Sequence, residues 1–418
     1  MQIHRLIPSI SYKPNLTLLT LAALTPKEHS VEVVDDTFES INFTDNHDII
    51  GITAMTPTAI RAYEIADEFR ERGKTVILGG WHPSVLPEEA KQHADSVVIG
   101  EAEDLWSKLL NDYSSGILQP FYRQTKRVES SSIPTLTDER SLLKHGTFPE
   151  AIESTRGCPV GCTFCSGTNK PYYREFRKRP IEDVIQEIES LSRRFFVFID
   201  SSFAFEPDYT KQLLREMKGL NKKFLALANI NSFEKDEELL RLSAEAGLVQ
   251  INLGLESPYQ NAIDSIGKTT NKVKKYKNII RKLHDHNIIV LGYFMFGLET
   301  DTSDIFEKTK DFMKDIDLDT ANFMILTPYP GTPLFAQLDK ERRILTRDWS
   351  QYDLDHVVYQ PKNMTPEELS EGFQKIAKEY YSPLNLLKRT LKSIRYGFYQ
   401  FFSISLLGFS TYRWAKLF

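Results

Sequence analysis

Two stretches of the chain alternate short apolar runs with segments of helical period, and a polar, irregular stretch separates them. In the first, VEVVDD (31–36), DIIGITAM (48–55), TVILGG (75–80) and SVVIG (96–100) are rich in Val and Ile and predict buried strands. Between them TAIRAYEIADEFRERG (58–73) spaces Ile60, Tyr63, Ala66 and Phe69 for one helical face. LPEEAKQHA (86–94) and EDLWSKLLNDY (103–113) also predict helices. Strands alternating with helices of this length imply an α/β fold, here a doubly wound parallel sheet covered on both faces. Gly51, Gly79, Gly80 and Gly100 fall at strand ends, where such sheets bind ligands, although any one of them also suits a plain tight turn.

The chain from 116 to 150 is polar, with Pro120, Pro134 and Pro149. A second alternating run follows. AIESTR (151–156), FFVFID (195–200), FLALANI (224–230), LVQINLGLE (248–256), IIVLGYFMFG (288–297) and TANFMILT (320–327) predict six strands. A helix over 180–194 opens on Pro180 with acidic residues in its first turns. Six βα units suit a partial (β/α)6 barrel whose chemistry gathers at the carboxyl ends of its strands. The expected domains are a Rossmann-like unit over 1–125, a linker over 126–150, the barrel over 151–330, and a helical extension over 331–418 with a basic, aromatic tail.

Composition changes this picture little. With 41 % apolar and 26 % charged residues the chain reads as soluble and globular, and 418 residues suit two or three domains. A net charge of −5 argues against a broad nucleic-acid surface. The start, MQIHRLIPSI, is too short an apolar run for a secretory segment. With three clustered cysteines and no disulfide framework, the expectation is a reducing cytoplasm.

Those three cysteines carry the chemistry. Cys158, Cys162 and Cys165 stand in TRGCPVGCTFCSG (155–167), a C-x3-C-x2-C loop after the first strand of the second unit. Gly157 and Gly161 let the backbone wrap a small metal centre. A closed zinc site needs four ligands and no fourth cysteine exists; a site of three cysteines and one histidine stays open, yet no His lies within twenty residues downstream of Cys165. An iron–sulfur cube held by three thiolates leaves one iron open, which accounts for both the odd number and the crowding.

The loop, Phe164 before its third cysteine, and the six βα units resemble the radical S-adenosylmethionine enzymes. The resemblance implies a [4Fe–4S] cluster on the three cysteines, with S-adenosylmethionine on the open iron cleaved to a 5′-deoxyadenosyl radical. It places cofactor contacts at Asp200, Ser201 and Ser202, where the common family pattern is Gly-Gly-Glu. Glu256 in GLES is placed beside cofactor or substrate, Gly297 in FMFGLETDT (294–302) beside the adenine of the cofactor, and TPYPGTPLF (327–335) resembles the sixth-strand end. Ser202 also suits a helix cap, and the Pro-Gly turn suits any rigid loop.

The N-terminal unit resembles the cobalamin-binding class of the same superfamily, through DIIGITAMT (48–56), GGWHPSVLPEEA (79–90) and VVIGEAED (97–104). That resemblance implies cobalamin near Thr53, Met55, Gly79, Gly80, Gly100 and Glu101. The D-x-H-x-x-G pattern of a histidine-ligated cobalamin is missing: DNHDIIG (45–51) has one residue too many and precedes its strand. His47 reads as a surface residue and His82 as a structural one. A domain that binds nothing and covers the barrel mouth is the other reading.

The implied activity is a cobalamin-dependent methyltransferase acting on an unactivated carbon of a small molecule or lipid. Radical cyclisation, coupling or rearrangement without methyl transfer is the alternative, and a redox-sensing iron–sulfur scaffold a third. An electron donor such as flavodoxin or ferredoxin is implied. In the tail, LNLLKRTLKSIR (384–395) interleaves Leu and Ile with Lys388, Arg389, Lys392 and Arg395 ahead of an uncharged aromatic run. It suits a helix in a membrane surface, giving a cytoplasmic protein with peripheral contact through 384–418, or equally a helix docked on the barrel. The tail also resembles those of relatives that act on lipids.

Overall fold

The structure is a computed structural model that describes residues 16–44, 46–143, 149–168 and 174–415. The opening run MQIHRLIPSI and the last three residues lie outside them. Helix α1 (Leu16–Leu24) precedes strand β1 (Ile49–Thr53), α2 (Ala59–Glu71), β2 (Thr75–Gly79), α3 (Trp81–Val85), α4 (Pro87–Gln92), β3 (Ser96–Ile99), α5 (Trp106–Ser114) and β4 (Phe121–Arg123). The four strands form one parallel sheet in the order β1-β2-β3-β4. Side chains alternate across it, as the period of two requires. Val76, Leu78 and Val97 pack under α2 and α4, whereas Ile77 and Val98 meet α1 and α5 on the other face. Both faces are covered, as expected of a doubly wound sheet, and all four carboxyl ends point one way.

Two sequence expectations fail here. VEVVDD (31–36) joins no sheet. Of its valines only Val33 is buried, and Asp36 is drawn off to an ion pair with Arg61 of α2 at 2.9 Å. The fourth strand is instead β4, hidden in the polar stretch behind Pro120, whose carbonyl accepts from Val97 N–H at 3.0 Å.

The second unit follows its pattern except at AIESTR (151–156), whose strand ends at Ile152 while Thr155–Arg156 turn away into an antiparallel ribbon. Strands β5 (Glu150–Ile152), β8 (Phe195–Phe198), β9 (Lys223–Ala228), β10 (Leu248–Glu256), β11 (Ile289–Phe296) and β12 (Thr320–Ile325) lie side by side in chain order, all parallel. Helices α6 (Ile181–Ser190), α7 (Pro207–Met217), α8 (Glu237–Ala246), α10 (Tyr276–Asp285) and α11 (Ile305–Asp315) cover the outside, and a short α9 (Gln260–Ser265) follows β10. A two-stranded ribbon, β6 (Thr155–Arg156) with antiparallel β7 (Arg177–Lys178), brackets the cysteine loop. This is the partial (β/α)6 barrel.

The segment expected as a linker lies folded on the barrel. Val128, Ile133 and Leu136 are buried, and Leu136 N–H donates to Glu187 Oε1 at 2.9 Å. Beyond the barrel, α12 (Pro333–Lys340), α13 (Pro366–Tyr380), α14 (Pro383–Ser393) and α15 (Phe398–Ala415) form the extension. A capping box of Thr365 and Glu368 starts α13, which buries Leu369, Phe373 and Ile376 in the barrel core. Of the two readings of the tail, α15 takes the docked one. Ser403 Oγ donates to Gln250 Oε1 at 2.6 Å and Gln400 Nε2 to Asn287 O at 2.8 Å, both at the amino ends of barrel strands.

Candidate active site

The cysteine loop leaves β6 and turns twice through left-handed glycines, Gly157 at φ 86° and Gly161 at φ 76°. It is pinned from both sides. Thr163 N–H donates to Ile266 O, and Thr163 O accepts from Leu334 N–H, each at 3.1 Å. Phe164 packs among Ile266, Met295, Leu326 and Tyr359. Cys162 is buried, with Cys158 and Cys165 half-buried. Burial pushes the Cys158 thiol up and the Cys162 thiol to about 12, with a nearby lysine, Lys268, opposing it in both cases. Thiolates here therefore need a cationic centre. Among the described residues no three Cys, His, Asp or Glu side chains close around a single ion, as a zinc site would require. A cube places its ligands at separate corners, so a more open set of three thiols fits it.

Lys268 was missed in the sequence because its role is tertiary. Its ammonium lies 2.6 Å from Glu256 Oε1 and 2.9 Å from Gly254 O. Burial lowers its pKa, but Glu256, Cys162 and Cys165 together outweigh that and raise it. Glu256 itself sits at φ 62°, where β10 shifts register between Gly254 and Glu256. A non-glycine residue in this region is strained, and the kink turns its carboxylate toward Lys268.

The other predicted contacts are more engaged than the sequence suggested. Asp200 is wholly enclosed, and its carboxylate accepts from Ser154 Oγ at 2.9 Å, Ser154 N–H at 3.1 Å, and both donors of Thr155. Burial raises it to about 6 against those donors. Its oxygens hold the root of the cysteine loop. Ser201 beside it is exposed, and the buried Ser202 hydroxyl has no hydrogen-bond partner, which suits a polar ligand group. Gly297 is left-handed at φ 94°; its carbonyl accepts from Tyr359 Oη and its N–H donates to Asp301 Oδ2 at 3.0 Å.

In the N-terminal sheet, Thr53, Met55, Gly79, Gly80 and Gly100 gather at the carboxyl edge. Met55 is exposed there. Gly80, at φ 94°, passes so close to β1 that a Cβ would meet Ala54 O and Thr53 Oγ1 at 2.7 Å. Only glycine fits this close backbone approach at the end of the sheet. No histidine is poised as its ligand among the described residues: His82 is fully buried between Thr56 Oγ1 at 3.3 Å and Glu89 Oε1 at 3.1 Å, and His47 lies before β1, beside Glu32.

Glu101 does different work from the other five. Arg177 grips its carboxylate with two bonds of 2.7 Å, Gln124 adds one of 3.1 Å, and Arg156 stands at 3.5 Å. Burial alone would raise Glu101, but Arg177, Arg156 and Gln124 leave it below the carboxylate range. Arg156 and Arg177 face each other on the two strands of the ribbon that brackets the cysteines. Gly331 of the YPGTP loop touches Val85 of α3, and Trp349 Nε1 donates to Glu89 Oε1 at 3.0 Å. The carboxyl edge of the N-terminal sheet is therefore tied to the ribbon that carries the cysteines and to the loops that follow the last barrel strand.

Comparison with known proteins agrees with this geometry. Residues 152–313 match the Radical SAM superfamily, 14–110 a B12 binding domain, and 332–398 a domain of unknown function (DUF4070). The chain is 31 % identical over 401 residues to bacteriochlorophyllide d C-12(1)-methyltransferase of Chlorobaculum tepidum, covering 93 % of this chain and 87 % of that protein. It is 32 % identical to the C-8(2)-methyltransferase of the same organism, covering 91 % and 88 %. Its fold matches OxsB, a cobalamin-dependent S-adenosylmethionine radical enzyme solved with aqua-cobalamin and S-adenosylmethionine, at TM-score 0.70 and 16 % identity over 98 % of this chain and 71 % of that one. These relatives do not favour the cyclase alternative. The chain belongs to the cobalamin-dependent radical S-adenosylmethionine methyltransferases.

Proposed function

We propose that the protein methylates an unactivated carbon of a hydrophobic small molecule or lipid, in the cleft between its two sheets. The observation that carries the reading is the cysteine loop at the carboxyl end of the barrel, whose ribbon is held through Arg177 by Glu101 at the carboxyl edge of the N-terminal sheet. When bound, the [4Fe–4S] cluster with S-adenosylmethionine supplies the hydrogen-abstracting radical and cobalamin supplies the methyl group.

The chain's own residues do the rest. Cys158, Cys162 and Cys165 would hold the cluster, and Lys268 sets a positive charge beside their thiolates while Glu256 keeps that buried charge compensated. Asp200 fixes the root of the loop, and Ser201 and Ser202 offer hydroxyls to the methionine end of the cofactor. Gly297, held by Tyr359 and Asp301, shapes the floor where an adenine would lie. Thr53, Met55, Gly79, Gly80 and Gly100 would form the cobalamin edge, with no histidine ligand from this chain. Glu101 acts by gripping the ribbon. A small iron–sulfur or flavin protein such as ferredoxin or flavodoxin would supply the electron. The reading includes a cytoplasmic location with peripheral membrane contact through 384–418; no helix among the described residues is long and apolar enough to cross a membrane.

Anaerobic reconstitution with cobalamin tests it. The expected products from S-adenosylmethionine are 5′-deoxyadenosine and S-adenosylhomocysteine together. Deoxyadenosine alone, without retained cobalamin, would favour rearrangement or coupling instead. Replacing all three cysteines with serine should abolish iron retention, and a full cluster in that variant would sink the assignment.

A further inference from the structure

Helix α14 presents a face that the barrel does not use. Leu384, Leu387, Leu391, Ile394 and Phe398 are each between 54 % and 72 % exposed, and Phe402 is 40 % exposed. Spacing of three and four residues places Leu384, Leu387 and Leu391 on one face of α14; Ile394 and Phe398 extend the exposed apolar run through the turn and Gly397 (φ 124°) to the start of α15, where Phe398 stacks on Phe402. The other side of α14 is already packed on the protein. Leu386 packs on the barrel core, Ser393 is buried, and Arg389 stacks on Tyr380 at 3.8 Å. The stripe is thus surplus to folding. Apolar side chains this large, contiguous and exposed mark a contact surface.

Charge decides what the surface fits. From 384 to 418 the chain carries six basic residues and no acidic one, although the whole protein has a net charge of −5. Lys388 stands exposed next to Leu387, and Lys392 and Arg395 flank the stripe while pairing with Asp317 at 2.5 and 3.3 Å. A second copy of this acidic protein would gain little from like-charged basic rims meeting face to face. An anionic bilayer complements both features, apolar residues entering the acyl boundary and cations staying among the headgroups.

We propose that the stripe Leu384–Leu387–Leu391–Ile394–Phe398 seats the protein on an anionic lipid surface. The seat lies under the barrel, not at its mouth. Ser403, Gln400 and Asp317 make their contacts at the amino ends of β10, β11 and β12, whereas the cysteine loop stands at the carboxyl end. The tail is therefore an anchor that leaves the catalytic cleft facing away from the bilayer, and does not feed a lipid into it. The inference is independent of the methyl-transfer reading.

The test uses the full chain with its cluster reconstituted, sedimented with phosphatidylcholine vesicles and with vesicles of equal parts phosphatidylcholine and phosphatidylglycerol. Binding to the anionic vesicles is expected, falling with salt, and weak binding to the neutral ones. Leu387→Glu with Leu391→Glu should lower the anionic partition about tenfold or more, while keeping the visible absorbance of the cluster. Leu345→Glu, an exposed leucine outside the stripe, should change nothing. Lys388→Glu disturbs no packing and should also weaken binding, so the idea stays testable if the double variant misfolds. A wild type that stays in the supernatant with both vesicles overturns the proposal. So does a concentration-dependent dimer that the leucine substitutions dissolve.

Discussion

The contact most exposed to refutation is the one by which the N-terminal sheet grips the cysteine ribbon. Glu101→Gln keeps the shape of the side chain and removes its charge. In the wild type the carboxylate is buried and accepts two bonds of 2.7 Å from Arg177, itself buried. Removing one partner of a buried pair costs about 3–5 kcal/mol, because the other charge is left uncompensated. Here glutamine retains one acceptor, Arg177 keeps Val128 O at 2.9 Å, and Arg156 keeps Glu103 and Glu153. The lower end, about 3 kcal/mol, is therefore expected.

The assay is urea unfolding of wild type, Glu101→Gln, Arg177→Met and the double variant under identical conditions. The double variant should be more stable than the sum of the singles predicts, by about 1 kcal/mol or more. The pH dependence has a defined sign. Glu101 lies below its ordinary value of 4.5, so its contribution is present above that pH and fades as pH falls through the lower, folded value. Glu101→Gln should lack this acid-limb loss. If the single costs add within about 0.5 kcal/mol, the grip does not couple the two domains and the reasoning fails.

Three further outcomes follow from the same geometry. Gly80→Ala should destabilise by about 1–3 kcal/mol, because its φ of 94° is unfavourable and its Cβ would meet Ala54 O; Gly73→Ala, left-handed in open space, should cost less in the same thermal unfolding. Lys268→Met leaves Glu256 buried and unpaired, so anaerobic iron content per chain should drop, and adding Glu256→Met should recover part of it; no recovery would show that the pair is not what matters. Burial raises Asp301 to about 7 from 3.8 against the two N–H donors of Leu298 and Gly297, so its contribution is present at low pH and is lost as pH rises toward 7. Asp301→Asn should flatten that decline, and an unchanged pH–stability curve would remove the group from the account.

How much of this was legible beforehand depends on whether the signal was local. Five of the six barrel strands announced themselves because parallel strands buried on both faces read as largely apolar runs, and β10 spans the very residues its run predicts; AIESTR did not, since its polar half turns off into the cysteine ribbon. VEVVDD carries the same local signal yet pairs with nothing, since strand formation needs a partner edge that composition does not report. The residues missed at the site, Lys268, Arg156, Arg177 and Trp349, have ordinary local contexts. Each acquires its role from a group far away in sequence, such as Trp349 reaching Glu89. Asp200 and Glu101 were expected at the S-adenosylmethionine and cobalamin sites, and the partners that hold them lie far along the chain. One is held by Ser154 and Thr155, the other by two arginines.

By itself the sequence determined the α/β class, the run of six βα units in the second half and the gathering of three thiols on one glycine-bearing loop. Periodicity, glycine conformation and thiol count are properties of neighbours along the chain. Only the tertiary structure decided that Glu101 of the first unit grips the cysteine ribbon, that a lysine stands beside the thiols, and that the tail lies under the barrel with one leucine face left over. Those outcomes turn on burial and on charges brought together across long stretches of chain, and a one-dimensional pattern holds no record of either.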